Sequence, residues 1–178
     1  MLKYVLLNLI PSPFSTMNKS KFRILVSLSA LICLNLIQSA HAADCATQLY
    51  QGKPPVVPAQ MQNKAQYVCS SGFAVLHSGV TKTPLFSAER LTRDRIEQAK
   101  KLERVDSFHP EPSLPPSQRA ELRDYSRSGY DRGHLAPNKD MSDVVMQRES
   151  FSLANMVPQD PNNNRGIWEN IESATRRL

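Results

Sequence analysis

The chain has 178 residues, 40% of them hydrophobic and 21% charged, which is ordinary for a single globular domain. Its formal charge of +6 includes four basic residues of the first 42, where no acidic residue offsets them: Lys3, Lys19, Lys21 and Arg23. Without them the chain has 18 basic and 16 acidic residues. A net charge this small does not by itself indicate a polyanionic partner. Such an argument has to come from particular arginines.

Residues 1–42 have the pattern of an export signal. A basic start precedes the apolar run ILVSLSALICLNLI, and the small-x-small triplet AHA follows at 40–42. The run has 14 residues and contains Asn35, whereas a membrane-spanning helix needs about 20. We therefore expect cleavage, no stable membrane association afterwards, and a periplasmic or secreted protein. Because a second apolar patch precedes the basic start, we expect translation to begin at Met17.

The cysteine count agrees with export. Cys33 lies in the signal core, which leaves Cys45 and Cys69 in the mature chain. An even pair in an exported protein is most simply a disulfide, which could stabilise the fold by about 3 kcal/mol. The alternative, a thiol nucleophile or metal ligand, lacks a neighbouring histidine in the sequence. We predict a structural disulfide.

The next elements are predicted from prolines and from hydrophobic periodicity. Residues 43–66 form an extended N-terminal segment because three prolines fall in PPVVP. A hairpin follows, with strands at 67–69 and 73–77. The segment SAERLTRDRIEQAKKLERVDSF fits either one helix or a strand up to Thr92 followed by a short helix. A proline-rich connector then leads to a short helical turn.

The pattern sharpens from Tyr130 onward. GYDRGHLAP predicts a short strand ended by Pro137, and Ser142 is the predicted N-cap of a short helix. In FSLANMVPQ three residues, Phe151, Leu153 and Asn155, fall on one face and Ser152, Ala154 and Met156 on the other, which predicts a second strand. Asn162–Asn164 then introduce a helix that runs to the end of the chain.

Two rows of residues run along this last helix. The first is apolar, is predicted to pack inward, and comprises Ile167, Ile171, Ala174 and Leu178. The second has four-residue spacing and comprises Asn164, Trp168, Glu172 and Arg176. Because no glycine, asparagine or proline stops the helix at its end, we expect the domain to continue beyond these residues. The 178-residue chain alone is then expected to be poorly stable and weakly active.

The most informative string is DRGH, Asp131 to His134. A guanidinium beside an imidazole disfavours protonation of the imidazole. A histidine that has to stay neutral near pH 7, ready to accept a proton beside an arginine-held phosphate, benefits from that neighbour. A lone histidine in this setting is more often structural, so the neighbouring motifs decide.

The motifs around DRGH resemble those of a known protein family. DRGHLAP followed by NMVPQDPNNNRGIWENIE, with LERVDSFHPEP upstream, resembles the DNA/RNA non-specific endonucleases, sugar-non-specific nucleases with a ββα-metal core. The resemblance covers residues 69–178. It implies an α+β fold, with a mostly antiparallel sheet flanked by helices, and a nuclease domain over 67–178 that is incomplete at its C-terminus.

The resemblance also implies roles for particular residues. His134 would be the general base, Asn164 the direct ligand of Mg²⁺, with Mn²⁺ as an alternative metal, and Glu172 a ligand through water. Three arginines would contact phosphate oxygens: Arg104, Arg132 and Arg176. Two further motif positions would have supporting roles: Asn155 and Asp131.

Simpler interpretations of single residues stay open. Glu172 and Arg176 are spaced as an ordinary surface pair, Trp168 as a packing residue, and NNN as a turn and helix cap. The predicted function is cleavage of DNA and RNA without marked sequence preference. The alternatives are a nuclease of narrow substrate preference and a catalytically silent nucleic-acid-binding or DNA-uptake protein. Oligomeric state is left open.

Overall fold

The computed structural model describes residues 44–177; the predicted export signal and Leu178 lie outside them. The strands are Ala65–Cys69 (β1), Ala74–Ser78 (β2), Thr83–Ala88 (β3), Asp131–His134 (β4) and Met156–Gln159 (β5). The α-helices are Asp44–Gln48 (α1), Arg93–Ala99 (α2), Leu122–Tyr125 (α3), Val144–Ser150 (α4) and Glu169–Thr175 (α5). A π-helical turn, Asn163–Trp168, leads directly into α5. Over residues 44–177 no helix has the length and apolarity needed to cross a membrane.

The first three strands form an antiparallel sheet in the order β1-β2-β3. The predicted hairpin is confirmed, with Cys69 opposite Ala74 at its closed end. Of the two interpretations left open for the next segment, strand followed by helix is correct. The strand ends at Ala88, and Thr92 caps α2 by accepting a hydrogen bond from the Arg95 amide at 3.2 Å.

The N-terminal segment is only partly extended. Residues 53–58, which contain the three prolines, have no regular structure, as predicted. The prediction is wrong at Asp44–Gln48, which forms α1. Side-chain hydrogen bonds hold this helix against the sheet, since Gln48 donates to the Ser71 carbonyl at 3.1 Å and accepts from the Arg90 amide at 3.2 Å. These contacts favour a compact turn over an extended chain.

The predicted disulfide is confirmed. Cys45 in α1 is bonded to Cys69 at the end of β1, with their Cα atoms 4.9 Å apart and a sequence separation of 24 residues. Closing a loop of this length removes conformational entropy from the unfolded chain.

Removing this bond is expected to lower the free energy of unfolding by about 3 kcal/mol. Urea denaturation of the wild type and of the double variant Cys45→Ser/Cys69→Ser measures the difference. Native wild-type protein should contain no free thiol by mass spectrometry. Equal stability of the two proteins, or two free thiols, would contradict a structural disulfide.

The C-terminal half places two antiparallel strands beside the last helix. Asp131 pairs with Gln159 and His134 with Met156, so the predicted strand over DRGH is confirmed. The second strand is shorter than predicted, because Leu153–Asn155 forms a 3-10 turn with its side chains buried in the core.

Gly133 shows why the motif needs a glycine. A Cβ at this position would lie 2.8 Å from the Cβ of Gln159 on the neighbouring strand, too close for any other residue without movement of β4 or β5. Because glycine has no Cβ, β4 and β5 can pair at the place where β4 carries the motif.

Asp143, not Ser142, caps α4. One Asp143 carboxylate oxygen accepts hydrogen bonds from the amides of Val145 and Met146, both at 2.9 Å. The Ser142 hydroxyl instead donates to the sulfur of Met146 at 3.3 Å. A carboxylate that satisfies two free helix amides explains the one-residue difference.

The predicted inward face of the last helix is wrong. Ile167 and Ile171 are 68% and 51% exposed, and Ala174 is exposed too. The second row, from Asn164 to Arg176, faces the protein instead, because its polar groups find partners there. Trp168 donates to the His134 carbonyl at 3.3 Å, which fixes this phase of the helix.

A shared apolar cluster joins the three-stranded sheet to the ββα part. Its buried members come from both halves of the chain: Val68, Phe73, Val75, Leu114, Ala136, Met141 and Ala154. The α+β class, the antiparallel pairing and the ββα arrangement of β4, β5 and α5 agree with the expectation. The cluster fixes β4 and the segment after it relative to the sheet.

Candidate active site

The end of β4 and the start of the last helix enclose a cleft of about 170 Å³. Its lining residues are Arg104, Arg132, His134, Pro137, Asn138, Lys139, Asn164, Arg165, Glu169 and Glu172. The predicted base, the predicted metal ligands and two of the predicted phosphate-binding arginines therefore lie around one space. Asn155, Asp131 and Arg176 do not line it.

His134 is the last residue of β4, and its ring lies between two aromatic rings. The centroid of Phe151 is 5.1 Å away, edge to face, and that of Phe108 is 5.8 Å away. The Nε2 atom is buried and has no hydrogen-bond partner among the described residues. A buried ring nitrogen with no partner is available to accept a proton from something that enters the cleft.

The imidazole is neutral at physiological pH. Burial is the main cause that lowers the pKa of His134 to about 3, and the positive charge of Arg104 lowers it further. Asp106 opposes the shift, and Arg132 adds a smaller contribution in the same direction as Arg104. Arg132, the neighbour in the DRGH string, thus shifts the pKa in the expected direction, but burial and Arg104 lower it more.

This lowered pKa makes the stability of the fold sensitive to acid. Below pH 6.5 the imidazole of the unfolded chain binds a proton, whereas folded His134 stays neutral down to about pH 3. The free energy of unfolding should therefore fall by about 2 kcal/mol between pH 7 and pH 5 on account of His134. Glu89 acts in the opposite direction, since burial raises its pKa to about 8 and its cost to stability grows as the pH rises above 4.5.

Urea denaturation at pH 7 and pH 5 of the wild type and of His134→Asn separates the two groups. Glu89 contributes equally to both proteins, so the difference between their pH dependences belongs to the imidazole. The wild type should lose more stability on acidification than the variant. Identical pH dependence would contradict a neutral, desolvated His134.

Asn164 is oriented by Asp131. Its Nδ2 donates to an Asp131 carboxylate oxygen at 2.9 Å, which leaves Oδ1 as the atom that can bind a cation. Arg165 donates twice to the same carboxylate, at 2.8 and 2.7 Å, and its hydrogen bond is the main reason that the pKa of Asp131 is lowered. Sequence reasoning missed Arg165, whose side chain is 72% exposed and whose partner is 34 residues away.

Arg176 does not reach the cleft. Its guanidinium donates to Asp140 at 2.9 Å and lies 3.9 Å from Glu172. The side chains of Arg176 and Asp140 are only 11% and 2% exposed. The structure thus places Arg176 as a buried anchor beside Glu172 and not as a free cation in the cleft.

The carboxyl group of Glu89 accepts a hydrogen bond from Arg95 at 3.3 Å and lies beside Asp140 of the Arg176–Asp140 pair. Burial, with the negative charge of Asp140 as the second cause, raises the pKa of Glu89 to about 8. Protonated Glu89 leaves two carboxylates, Asp140 and Glu172, facing the guanidiniums of Arg95 and Arg176. The buried cluster is then electrically balanced, which is what burial of charges requires.

Asn155 is fully buried and has a structural role. Its Nδ2 donates to the carbonyls of Ala136 and Ser150 at 2.9 and 3.0 Å, and its Oδ1 accepts from the Ala136 amide at 2.9 Å. These bonds join the segment after His134 to the end of α4. Asn155 supports the base from behind and does not line the cleft.

The residues of the cleft fit a hard cation that keeps most of its waters. Residues 44–177 contain no cluster of three His, Cys, Asp or Glu that could enclose a metal ion. The donor set instead comprises the amide oxygen of Asn164 and the carboxylate of Glu172, both lining the cleft. Mg²⁺ and Mn²⁺ accept such oxygen ligands, whereas a zinc site would need more nitrogen or sulfur ligands.

The chain is similar to known nucleases. It is 36% identical over 137 residues to "Nuclease 1, mitochondrial" of Schizosaccharomyces pombe, a match that covers 75% of this chain and 40% of that protein. It is 44% identical over 78 residues to "Nuclease" of a Nostoc strain, covering 43% of this chain and 28% of that one. The chain thus spans well under half the length of these relatives.

A solved structure and a family profile agree with these relatives. The crystal structure of an EndoG/EndoGI complex matches 70% of this chain and 55% of its own with a TM-score of 0.57 and 28% identity. The sequence profile of the DNA/RNA non-specific endonucleases matches residues 55–178. The chain belongs to the DNA/RNA non-specific endonuclease family.

Proposed function

We propose that this protein is a metal-dependent endonuclease that hydrolyses phosphodiester bonds of DNA and RNA without marked sequence preference. The observation that carries the proposal is the buried Nε2 of His134, without a partner, in a cleft lined by guanidinium groups and oxygen ligands. Membership of the endonuclease family supports the same reaction.

In this proposal Nε2 of His134 accepts the proton of an attacking water. Because burial keeps the imidazole unprotonated, the lone pair of Nε2 is free at physiological pH. Arg132 and Arg104 contact phosphate oxygens and stabilise the negative charge that develops there. Contacts of this kind recognise the backbone and not the bases, which fits cleavage without sequence preference.

Asn164 and Glu172 would hold Mg²⁺, with Mn²⁺ as an alternative, Asn164 directly and Glu172 through water. The bound ion supplies positive charge beside the scissile phosphate. Because Nδ2 of Asn164 donates to the Asp131 carboxylate, the Oδ1 atom of Asn164 stays available to the ion. Arg176, which the resemblance assigned to phosphate, is proposed instead to position Glu172, since its own charge is used by Asp140.

Asn164→Ala is expected to shift the Mg²⁺ titration of activity to higher concentration, by about 10-fold or more, because the direct protein ligand is lost. Plasmid cleavage measured over a range of Mg²⁺ concentrations gives the midpoint. Asn163→Ala is the matched control, since Asn163 is the exposed neighbour in the same turn and does not line the cleft. An unchanged titration for Asn164→Ala would assign the metal to other residues.

A substrate panel tests the proposed function and its alternatives. Supercoiled plasmid, single-stranded DNA and RNA are each incubated with the protein, with Mg²⁺ or with EDTA. Mg²⁺-dependent cleavage of all three supports the proposal, and cleavage of only one supports a nuclease of narrow preference. Binding of all three without any cleavage would replace the proposal with a silent binding or DNA-uptake protein.

We propose further that the protein is exported to the periplasm or secreted. The Cys45–Cys69 disulfide supports an oxidising compartment, since such bonds seldom persist in the cytosol. The intact mass of the exported protein should match a chain that begins at Ala43. A cytosolic protein that retains residues 17–42 would contradict export.

A further inference from the structure

Both arginines proposed to meet phosphate lie on aromatic rings. The Cζ atom of Arg132 is 3.9 Å from the centroid of the Phe108 ring, and that of Arg104 is 5.3 Å from the centroid of Phe151. The two rings touch each other edge to face, with centroids 4.8 Å apart. Phe108 and Phe151 also contact His134 from two directions.

The two arginines are held differently. Arg104 donates to Asp106 at 2.6 Å, so an ion pair fixes it as well as the ring. Arg132 is exposed, and within residues 44–177 its side chain makes no hydrogen bond or ion pair. The ring of Phe108 is therefore the contact that restricts the guanidinium of Arg132.

A guanidinium stacked on a ring keeps its hydrogen-bonding edge free. The ring contacts only its face, so all five N–H donors remain available to phosphate oxygens. A carboxylate partner would occupy some of these donors and would neutralise the charge that a phosphate needs. The contact with the Phe108 ring thus restricts Arg132 without using the donors that would contact substrate.

We propose that Phe108 is a positioning residue, which holds Arg132 so that its donors meet the phosphate of the nucleic acid. This inference rests on the proposed function. Phe108 is anchored from behind, where it packs on the buried cluster of Ala120, Leu153 and Met156. The Cζ atom of Arg132 lies 3.9 Å from the centroid of its other face. A nucleic-acid base therefore cannot stack on that face.

Phe108→Leu keeps an apolar side chain but removes the ring face, whereas Phe108→Tyr keeps it. Because a cation–ring contact changes an equilibrium by roughly 2- to 30-fold, the leucine variant should bind a short DNA duplex about 5-fold more weakly than wild type. The tyrosine variant should bind within 2-fold of wild type. Binding is measured by fluorescence anisotropy in EDTA, so the result does not depend on metal or cleavage.

A double-mutant cycle with Arg132→Lys separates positioning from packing. Lysine keeps the charge but lacks the planar group that stacks, so in this background Phe108→Leu should weaken binding by less than 2-fold. Thermal unfolding of all variants identifies any loss of binding that comes from loss of structure. A packing role alone would lower the melting temperature by the same amount in both backgrounds and leave the coupling at zero.

The inference is overturned if Phe108→Leu binds DNA like wild type, or if it weakens binding by the same factor in the wild-type and Arg132→Lys backgrounds. Failure of the wild type to bind DNA would overturn it too. Coupling between Phe108 and Arg132 in DNA binding, found in a protein that cleaves no substrate, would leave the role of Phe108 standing and would contradict the proposed function. Zero coupling between Phe108 and Arg132 in a protein that cleaves nucleic acid would contradict the role of Phe108 and leave the proposed function standing.

Discussion

His134→Ala is expected to abolish cleavage while it leaves nucleic-acid binding largely intact. The imidazole is the group in the cleft that is neutral, buried and without a hydrogen-bond partner among the described residues, so no lining group replaces it as the base. Loss of a general base lowers a rate by about 10²–10⁴-fold. Single-turnover cleavage of a labelled duplex in Mg²⁺ measures the rate, and anisotropy measures the binding.

His109→Ala is the matched control. His109 is a partly buried histidine whose Nδ1 lies 2.8 Å from the Ser107 carbonyl, and it does not line the cleft. This variant should cut within a few-fold of wild type. Cleavage by His134→Ala at a rate near that of wild type would show that the base is another group.

Asp140→Asn is expected to destabilise the fold about as much as loss of the Cys45–Cys69 disulfide. The Asp140 carboxylate is 2% exposed and is bonded to the nearly buried guanidinium of Arg176. Removing one charge of a buried pair leaves the other uncompensated, at a cost of about 3 kcal/mol. Activity should fall as well, because Glu172 is held beside the same guanidinium. Urea denaturation measures the first effect and plasmid cleavage the second.

Glu97→Gln provides the comparison for that variant. Its ion pair with Lys100 is 2.7 Å long, but both side chains are more than half exposed. Such a pair contributes little to the free energy of unfolding, because water and salt screen it. A loss of the same size in the two variants would show that the Asp140–Arg176 pair is not a buried anchor.

Much of the site could be predicted from sequence because its motifs are local. Asp131 to His134 form one strand, and Asn164 and Glu172 lie two helical turns apart, so short strings identify them. Phe108 and Phe151 could not be found in this way, since they come from distant parts of the chain and look like ordinary core residues. Only the packing of the fold brings their rings to His134.

The errors have physical causes of the same kind. Periodicity assigned Ile167 and Ile171 to the inner face, but it assumes that apolar residues turn inward, and here Trp168 and Arg176 have the stronger partners. The pairing of Arg176 with Asp140 could not be predicted either, because the two residues are 36 positions apart in sequence. Charge, exposure and pairing are properties of the fold that a string of residues does not contain.

Incubation of the purified protein with supercoiled plasmid, in Mg²⁺ and in EDTA, tests the central claim most directly. We expect conversion of the plasmid to nicked and linear forms in Mg²⁺, no conversion in EDTA, and recovery of cleavage when excess Mg²⁺ is added back. The same preparation of His134→Ala should convert none, which excludes a contaminating nuclease. Intact plasmid after prolonged incubation in Mg²⁺, or cleavage that persists in EDTA, would contradict a metal-dependent endonuclease.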